Sequence, residues 1–263
     1  MIGVFDSGLG GLSVLAAIAH ELPRADLVYL ADTAHVPYGD KSDGFITERV
    51  LAIGEHLARQ GCELIVVACN TATTTAIQNL RDEMARMTPH IQVVGVEPGV
   101  KPAAQGSRSG RIAVLATETT ARSKRLAQLI ETHAAHVRVE VVPCPGWATH
   151  VETLQPDTPA FRAEVAAKIL PLLDAGVDRI VLGCTHYAFL MPLIEPLVAG
   201  RARLIDVAAA VARQVLRLRG DSHAAGRLRL QATARPERLA AALPALGLQP
   251  LAARLAQVEQ VSP

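Results

Sequence analysis

The chain reads as an α/β protein of two pseudo-symmetric domains, each with a mostly parallel sheet flanked by helices, and with its active site in the cleft between them. Three observations predict this. Short apolar strands alternate with amphipathic helical stretches along the 263 residues, the pattern of βαβ units. Two of those strands end in matched turns, Cys69-Asn70-Thr71-Ala72 and Cys184-Thr185-His186. The spacing from Asp6 to Cys69 also nearly equals that from Thr117 to Cys184, which reads as an internal duplication.

Taken in order, strand-like runs fall at 2–5, 27–31, 64–68, 92–96, 112–116, 137–142, 180–183 and 203–206. Their β-branched and aliphatic residues, without strict alternation, are those of strands covered on both faces. Helical stretches intervene. Over 45–60, Ile46, Val50, Ile53 and Leu57 share one face; a second stretch covers 161–175; a third, 207–218, aligns Val207, Val211, Val215 and Leu218. Val96 to Pro102 is the expected crossing point. The expected division is 1–96 plus 207–263 as the first domain and 97–206 as the second. The tail from Asp221 is rich in Ala and Leu, with Arg227–Ala232 as an edge strand and Arg235–Leu246 as a helix, and carries no recognisable chemistry.

Composition narrows the classes of function. A net charge of +1 gives no electrostatic footprint for nucleic acid, and there is no basic amphipathic segment for a membrane surface. No apolar run is long enough to span a bilayer. Met1-Ile2-Gly3-Val4-Phe5-Asp6 runs directly into a strand without a charged leader, so a cytoplasmic location is expected. The four cysteines, Cys62, Cys69, Cys144 and Cys184, show no CxxC spacing and read as free thiols.

In sheets of this kind ligands bind outside the carboxyl ends of the strands, where Cys69 and Cys184 lie. A helix expected right after each would favour the thiolate through its dipole and free N–H groups. Two thiols in matching settings suggest an acid and a base facing one substrate. Cys62, after Gly61, and Cys144, between two prolines, read as structural cysteines. Asp6-Ser7-Gly8-Leu9-Gly10-Gly11 is no dinucleotide fingerprint, because its third glycine follows the second directly, and it has no Walker lysine. Its glycines permit a tight turn whose N–H groups suit a small anion; the simpler reading is a helix capped by Asp6 or Ser7. Pro37-Tyr38-Gly39-Asp40 has the chemistry of a turn; Tyr38 there could cover a ligand, and the simpler reading is a surface turn. His186, two residues from Cys184, could relay protons or hold that thiol in its reactive state, with Glu152 as a candidate partner of the same cysteine; the simpler reading makes each a structural or surface residue. His133 and His136 have no carboxylate or cysteine at ligand spacing, so no metal site is expected, and no lysine suggests a pyridoxal Schiff base.

Together these segments resemble glutamate racemase, of the cofactor-independent aspartate/glutamate racemase superfamily. The matches are Asp6-Ser7-Gly8-Leu9-Gly10-Gly11, Pro37-Tyr38-Gly39, Cys69-Asn70-Thr71-Ala72, Glu97-Pro98-Gly99, Thr117 and Thr120, and Gly183-Cys184-Thr185-His186-Tyr187. They run in family order over about the first four fifths of the chain. Ala188 stands where the family usually has proline, and Pro143 to Glu152 is a looser match. The resemblance implies catalytic roles for Cys69, Cys184, Asp6, His186 and Glu152. Cys184 would take the α-proton from L-glutamate and Cys69 from D-glutamate, with Asp6 assisting Cys69, and His186 and Glu152 assisting Cys184. It implies substrate binding by Asp6, Ser7, Tyr38, Gly39, Asn70, Thr71, Thr117, Thr120, Thr185 and His186. It further implies no cofactor, no metal, glutamate as the small-molecule partner, an assembly compatible with a homodimer, and a role in supplying D-glutamate for peptidoglycan and cell shape. An aspartate racemase or a decarboxylase shares the plan, and a non-enzymatic amino-acid-binding domain could use the same cleft without needing two opposed thiols.

Overall fold

In the computed structural model, residues 1–87, 89–154, 157–220 and 224–263 are described. The first sheet-forming segment runs β1 (Ile2–Asp6), α1 (Leu12–Glu21), β2 (Leu27–Ala31), α2 (Asp43–Arg59), β3 (Leu64–Val67), α3 (Asn70–Met87) and β4 (Gln92–Gly95). The second runs α4 (Val100–Gly106), β5 (Arg111–Ala116), α5 (Glu118–Ala121), α6 (Lys124–Ala134), β6 (Arg138–Pro143), α7 (Trp147–Glu152), α8 (Pro159–Asp174), β7 (Arg179–Leu182), α9 (Met191–Val198) and β8 (Arg203–Ile205). The chain then returns through α10 (Ala208–Arg219), β9 (Leu228–Ala232), α11 (Pro236–Ala245), α12 (Gln249–Ala252) and β10 (Leu255–Gln260).

Two sheets result, in the orders β10-β9-β2-β1-β3-β4 and β6-β5-β7-β8, and every described pairing is parallel. The duplication read from the spacing appears as a shared order. The block β2-β1-β3-β4 repeats as β6-β5-β7-β8, so β1 matches β5 and β3 matches β7. Cys69 and Cys184 therefore follow equivalent strands.

Parallel crossovers put helices on both sheet faces, and the period of two along each strand sorts the core accordingly. In the first sheet Ile2, Val4, Tyr29 and Val66 face Leu15 and Ile18 of α1 and Val211 and Val215 of α10. Phe5, Leu30, Ile65 and Val67 face the other way, onto Ile46, Val50, Ile53 and Leu57 of α2 and Leu80 and Met84 of α3. In the second sheet Leu115, Ile180 and Leu182 pack on Trp147, Phe161 and Ile169, while Ile112, Val114 and Val181 pack on α4 and Leu126.

Three local expectations change. Leu218 leaves the apolar stripe of α10 and is exposed, lining an open surface depression beside Val93 of edge strand β4. The 227–232 segment is not an edge: β10 pairs outside it, leaving β9 between β2 and β10. Cys184 is followed by a 3₁₀ segment, Thr185–Leu190, before α9. The expected start of the tail, Asp221, lies outside the described residues. Among the described residues no helix is long and apolar enough to cross a membrane.

Candidate active site

Asp6 is the last residue of β1 and is fully buried. Its carboxylate folds the glycine loop around itself, accepting from Ser7 N–H (2.7 Å) and Gly11 N–H (2.6 Å). The Tyr29 hydroxyl donates to the Gly8 carbonyl (2.6 Å) and holds the loop from below. A Cβ at Gly11 would sit 2.7 Å from that of Asp6, so the loop closes only on glycine there. Neither Asp6 nor Ser7 caps α1 in the usual way; its N-cap is Gly11, with no side-chain cap. Nor is the loop an open anion seat. Besides the two N–H groups given to Asp6, Leu9 N–H goes to Glu152 Oε1 (2.6 Å), and the Gly10 nitrogen is covered by the His186 ring, 3.3 Å from Nε2.

Cys69 stands at the mouth of β3, where its carbonyl accepts the N–H of Thr73 as α3 begins (2.9 Å). The Ala72 N–H lies 3.5 Å from its sulfur. The helix start was expected to favour the thiolate. Burial and then the neighbouring Asp6 carboxylate outweigh it, and together they hold the Cys69 thiol well above its ordinary range. Asp6 is itself raised by burial, only partly offset by the charge of His186.

Cys184 follows β7 through Gly183, whose N–H reaches the Leu115 carbonyl (2.7 Å). A side chain at 183 would come 2.6 Å from that oxygen. The sulfur has a different companion from Cys69. His186 Nδ1 lies 3.7 Å away, and its Nε2 contacts Glu152 Oε1 at 2.6 Å. Burial alone would lower the imidazole pKa, but the contacts to Cys184 and Glu152 win and hold it well above 6.5. The 3₁₀ segment thus turns a charged donor onto Cys184 where α3 gives Cys69 only backbone. Glu152, at the end of α7, joins this ring to the first half through Leu9. Burial raises the two other thiols as well, Cys62 to about 11 and Cys144 to about 12.

Around the thiols lie buried neutral polar groups. The Thr71 hydroxyl is 3.0 Å from that of Thr117 and 3.4 Å from that of Thr120, linking the start of α3 to α5. Thr185 Oγ1 approaches Asp6 (3.5 Å). Asn70 donates to the Val96 carbonyl (3.3 Å), but its buried Oδ1 has no hydrogen-bond partner among the described residues. Such an orphan at a strand mouth is a ready acceptor for a ligand. Tyr38 departs from the surface turn expected for it. The ring is buried and its hydroxyl donates to Asp32 (2.6 Å), so Tyr38 has only backbone to offer the cleft. Beside Gly39 and Thr117 opens a cavity of about 360 Å³. Asp32 and Tyr29 escaped the sequence reading. Asp32 carried a signal, a carboxylate at a strand end three residues before a histidine turn, but its partners are too distant in sequence to guess.

Chemically the arrangement offers one neutral thiol and one sulfur facing an imidazolium, on equivalent strands of two halves. That is an acid and a base for moving a proton. The chain belongs to the Asp/Glu/hydantoin racemase family, whose model matches residues 3–215. It is 49% identical over 220 residues to a glutamate racemase of Ectopseudomonas mendocina, covering 84% of this chain and 82% of that one. Its fold is similar to that of glutamate racemase isoform RacE1 from Bacillus anthracis (TM-score 0.86, 27% identity, 100% of this chain and 97% of that one). It is also similar to Escherichia coli glutamate racemase, solved with L-glutamate and the activator UDP-MurNAc-Ala (TM-score 0.76, 29% identity, 99% of this chain and 98% of that one).

Proposed function

We propose that this protein interconverts L- and D-glutamate by a two-thiol proton transfer without a cofactor, in the cytoplasm, and so supplies D-glutamate for peptidoglycan. The observation that carries the reading is the unequal dressing of the two sulfurs: Cys69 kept as thiol beside Asp6, Cys184 facing the imidazolium of His186.

In the L-to-D direction the Cys184 thiolate takes the α-proton. The C–H electron pair passes into the carboxylate as an enolate, and the Cys69 thiol delivers a proton to the opposite face. The reverse direction exchanges the roles. Inversion needs groups on opposite faces, which a cleft with one thiol per domain, divided as 1–96 plus 207–263 and 97–206, would supply. A positioned base contributes roughly 10²–10⁴-fold to such a step. The remainder comes from donors aimed at the developing charge in a dry site. The orphan Oδ1 of Asn70 suits the substrate ammonium, while Ser7, Thr71, Thr117, Thr120, Thr185 and the backbone of Tyr38–Gly39 suit its carboxylates. Asp6 assists Cys69, and Glu152 acts through His186.

Circular dichroism of purified protein with each enantiomer, without added cofactor, tests this. Both signals should decay to zero. A stable signal from both enantiomers overturns the proposal.

A further inference from the structure

Asp32 follows β2 beside the site strand, with its N–H on the Asp6 carbonyl (2.9 Å), yet none of the chemistry above uses it. It is a fully buried carboxylate, and both oxygens are engaged. Oδ2 accepts from the Tyr38 hydroxyl (2.6 Å) and Arg49 Nε (2.9 Å); Oδ1 accepts from Arg49 Nη2 (3.0 Å) and the Thr233 hydroxyl (2.8 Å). A buried charge so fully partnered fixes what surrounds it. What it fixes is the turn at 38–40. From that turn the Gly39 carbonyl accepts from the Thr119 hydroxyl of α5 (2.7 Å), and a Cβ on Gly39 would stand 3.0 Å from that of Thr117. The path from Asp32 through Tyr38 to Gly39 therefore ends on the other half of the molecule, next to two expected substrate contacts.

We propose that Asp32 is a positioning residue. Through the Tyr38 hydroxyl it holds the 38–40 turn as a latch against α5, and so sets how firmly the cleft holds its amino-acid substrate. Its effect on turnover rests on the glutamate reading; the latch itself does not. The Asp32 carboxylate is bonded to Tyr38, Arg49 and Thr233 and to neither sulfur, so substrate binding should suffer more than the proton transfer. Because Tyr38→Phe removes only the hydroxyl and leaves the Asp32–Arg49 pair intact, it tests the latch without stranding a buried charge.

The experiment measures kinetics and hydrogen exchange for wild type, Tyr38→Phe, Asp32→Asn and the double variant. KM for both enantiomers should rise about tenfold in either single variant, with kcat changed less than about threefold, the split expected when binding is lost uniformly. The double variant should be little worse than either single one, since both break the same contact. Without substrate, backbone exchange over 36–41 and 117–121 should accelerate, while β7 stays as protected as in wild type. If Asp32→Asn fails to fold, Tyr38→Phe decides alone. Unchanged KM with unchanged exchange in those segments overturns the latch, and so does a loss of thermal stability with KM intact. A wild type inactive on glutamate would overturn the activity reading, and exchange would then decide the latch by itself.

Discussion

Replacing His186 with asparagine tests the polarity of the site most directly. The imidazole spans Cys184 Sγ at 3.7 Å and Glu152 Oε1 at 2.6 Å, and asparagine is too short to bridge both and carries no charge. Glu152 keeps Leu9 N–H as a donor, so the damage centres on Cys184. A hydrogen bond from a charged donor is worth about 1.5–3 kcal/mol. At about 1.4 kcal/mol per tenfold, kcat/KM should fall about 10- to 150-fold. Because enantiomers have equal free energy, the equilibrium constant is unity and kcat/KM must fall by the same factor in both directions, even if kcat and KM separately do not. Initial rates by circular dichroism, starting from each enantiomer, give these numbers. A variant that keeps kcat/KM within twofold of wild type would refute the assignment of His186 to Cys184.

Further outcomes follow from the same geometry. Cys69→Ala and Cys184→Ala should each abolish racemisation, whereas Cys62→Ala and Cys144→Ala should largely retain turnover; an essential Cys62 with a dispensable Cys69 would misplace the site. In heavy water, solvent deuterium should enter the product α-carbon at low conversion while re-formed substrate stays nearly unlabelled, and mass spectrometry showing the original hydrogen retained in the inverted product would exclude paired thiols. Gly8→Ala would drive a methyl group into the Glu152 carboxylate and within 2.7 Å of Val36, so it should lower kcat/KM and cost about 1–3 kcal/mol of stability in urea titrations. The raised pKa of His186 sets a pH window for stability: its contribution is complete below the unfolded value of about 6.5 and is lost as pH rises through the folded one. The stability gap between wild type and His186→Asn should therefore narrow at alkaline pH, and a gap that widens would contradict the sign.

Much of the architecture was legible because buried parallel strands leave a strong local signal. The 27–31 run is β2 to the residue, and the four residues chosen for the face of α2 are all core. β10 was missed for the opposite reason. Leu-Ala-Gln-Val-Glu-Gln is a half-exposed edge, and its identity as a strand comes from pairing with β9 rather than from its own pattern. In the site, cysteines at strand mouths were visible, but their character was not. The helix start at Cys69 argues for thiolate, and only the fold reveals the burial and the Asp6 carboxylate that reverse it. Tyr38 was misread as a surface residue because its partners, Asp32 and the Arg49 and Thr233 that share that carboxylate, converge from separate segments.

The strand order carries a consequence for how the chain is made. The first sheet draws on residues both before and after the whole of the second, since β9 and β10 come back to lie beside β2. On a ribosome every strand of the second sheet is synthesised while the outer edge of β2 still lacks Leu228–Ala232 and Asp32 still lacks Thr233. Domains fold as units when their residues are available, and pairing across so long a separation is slow. The half that carries Cys184 is thus free to mature during translation, and the half that carries Cys69 gains its last strands only afterwards.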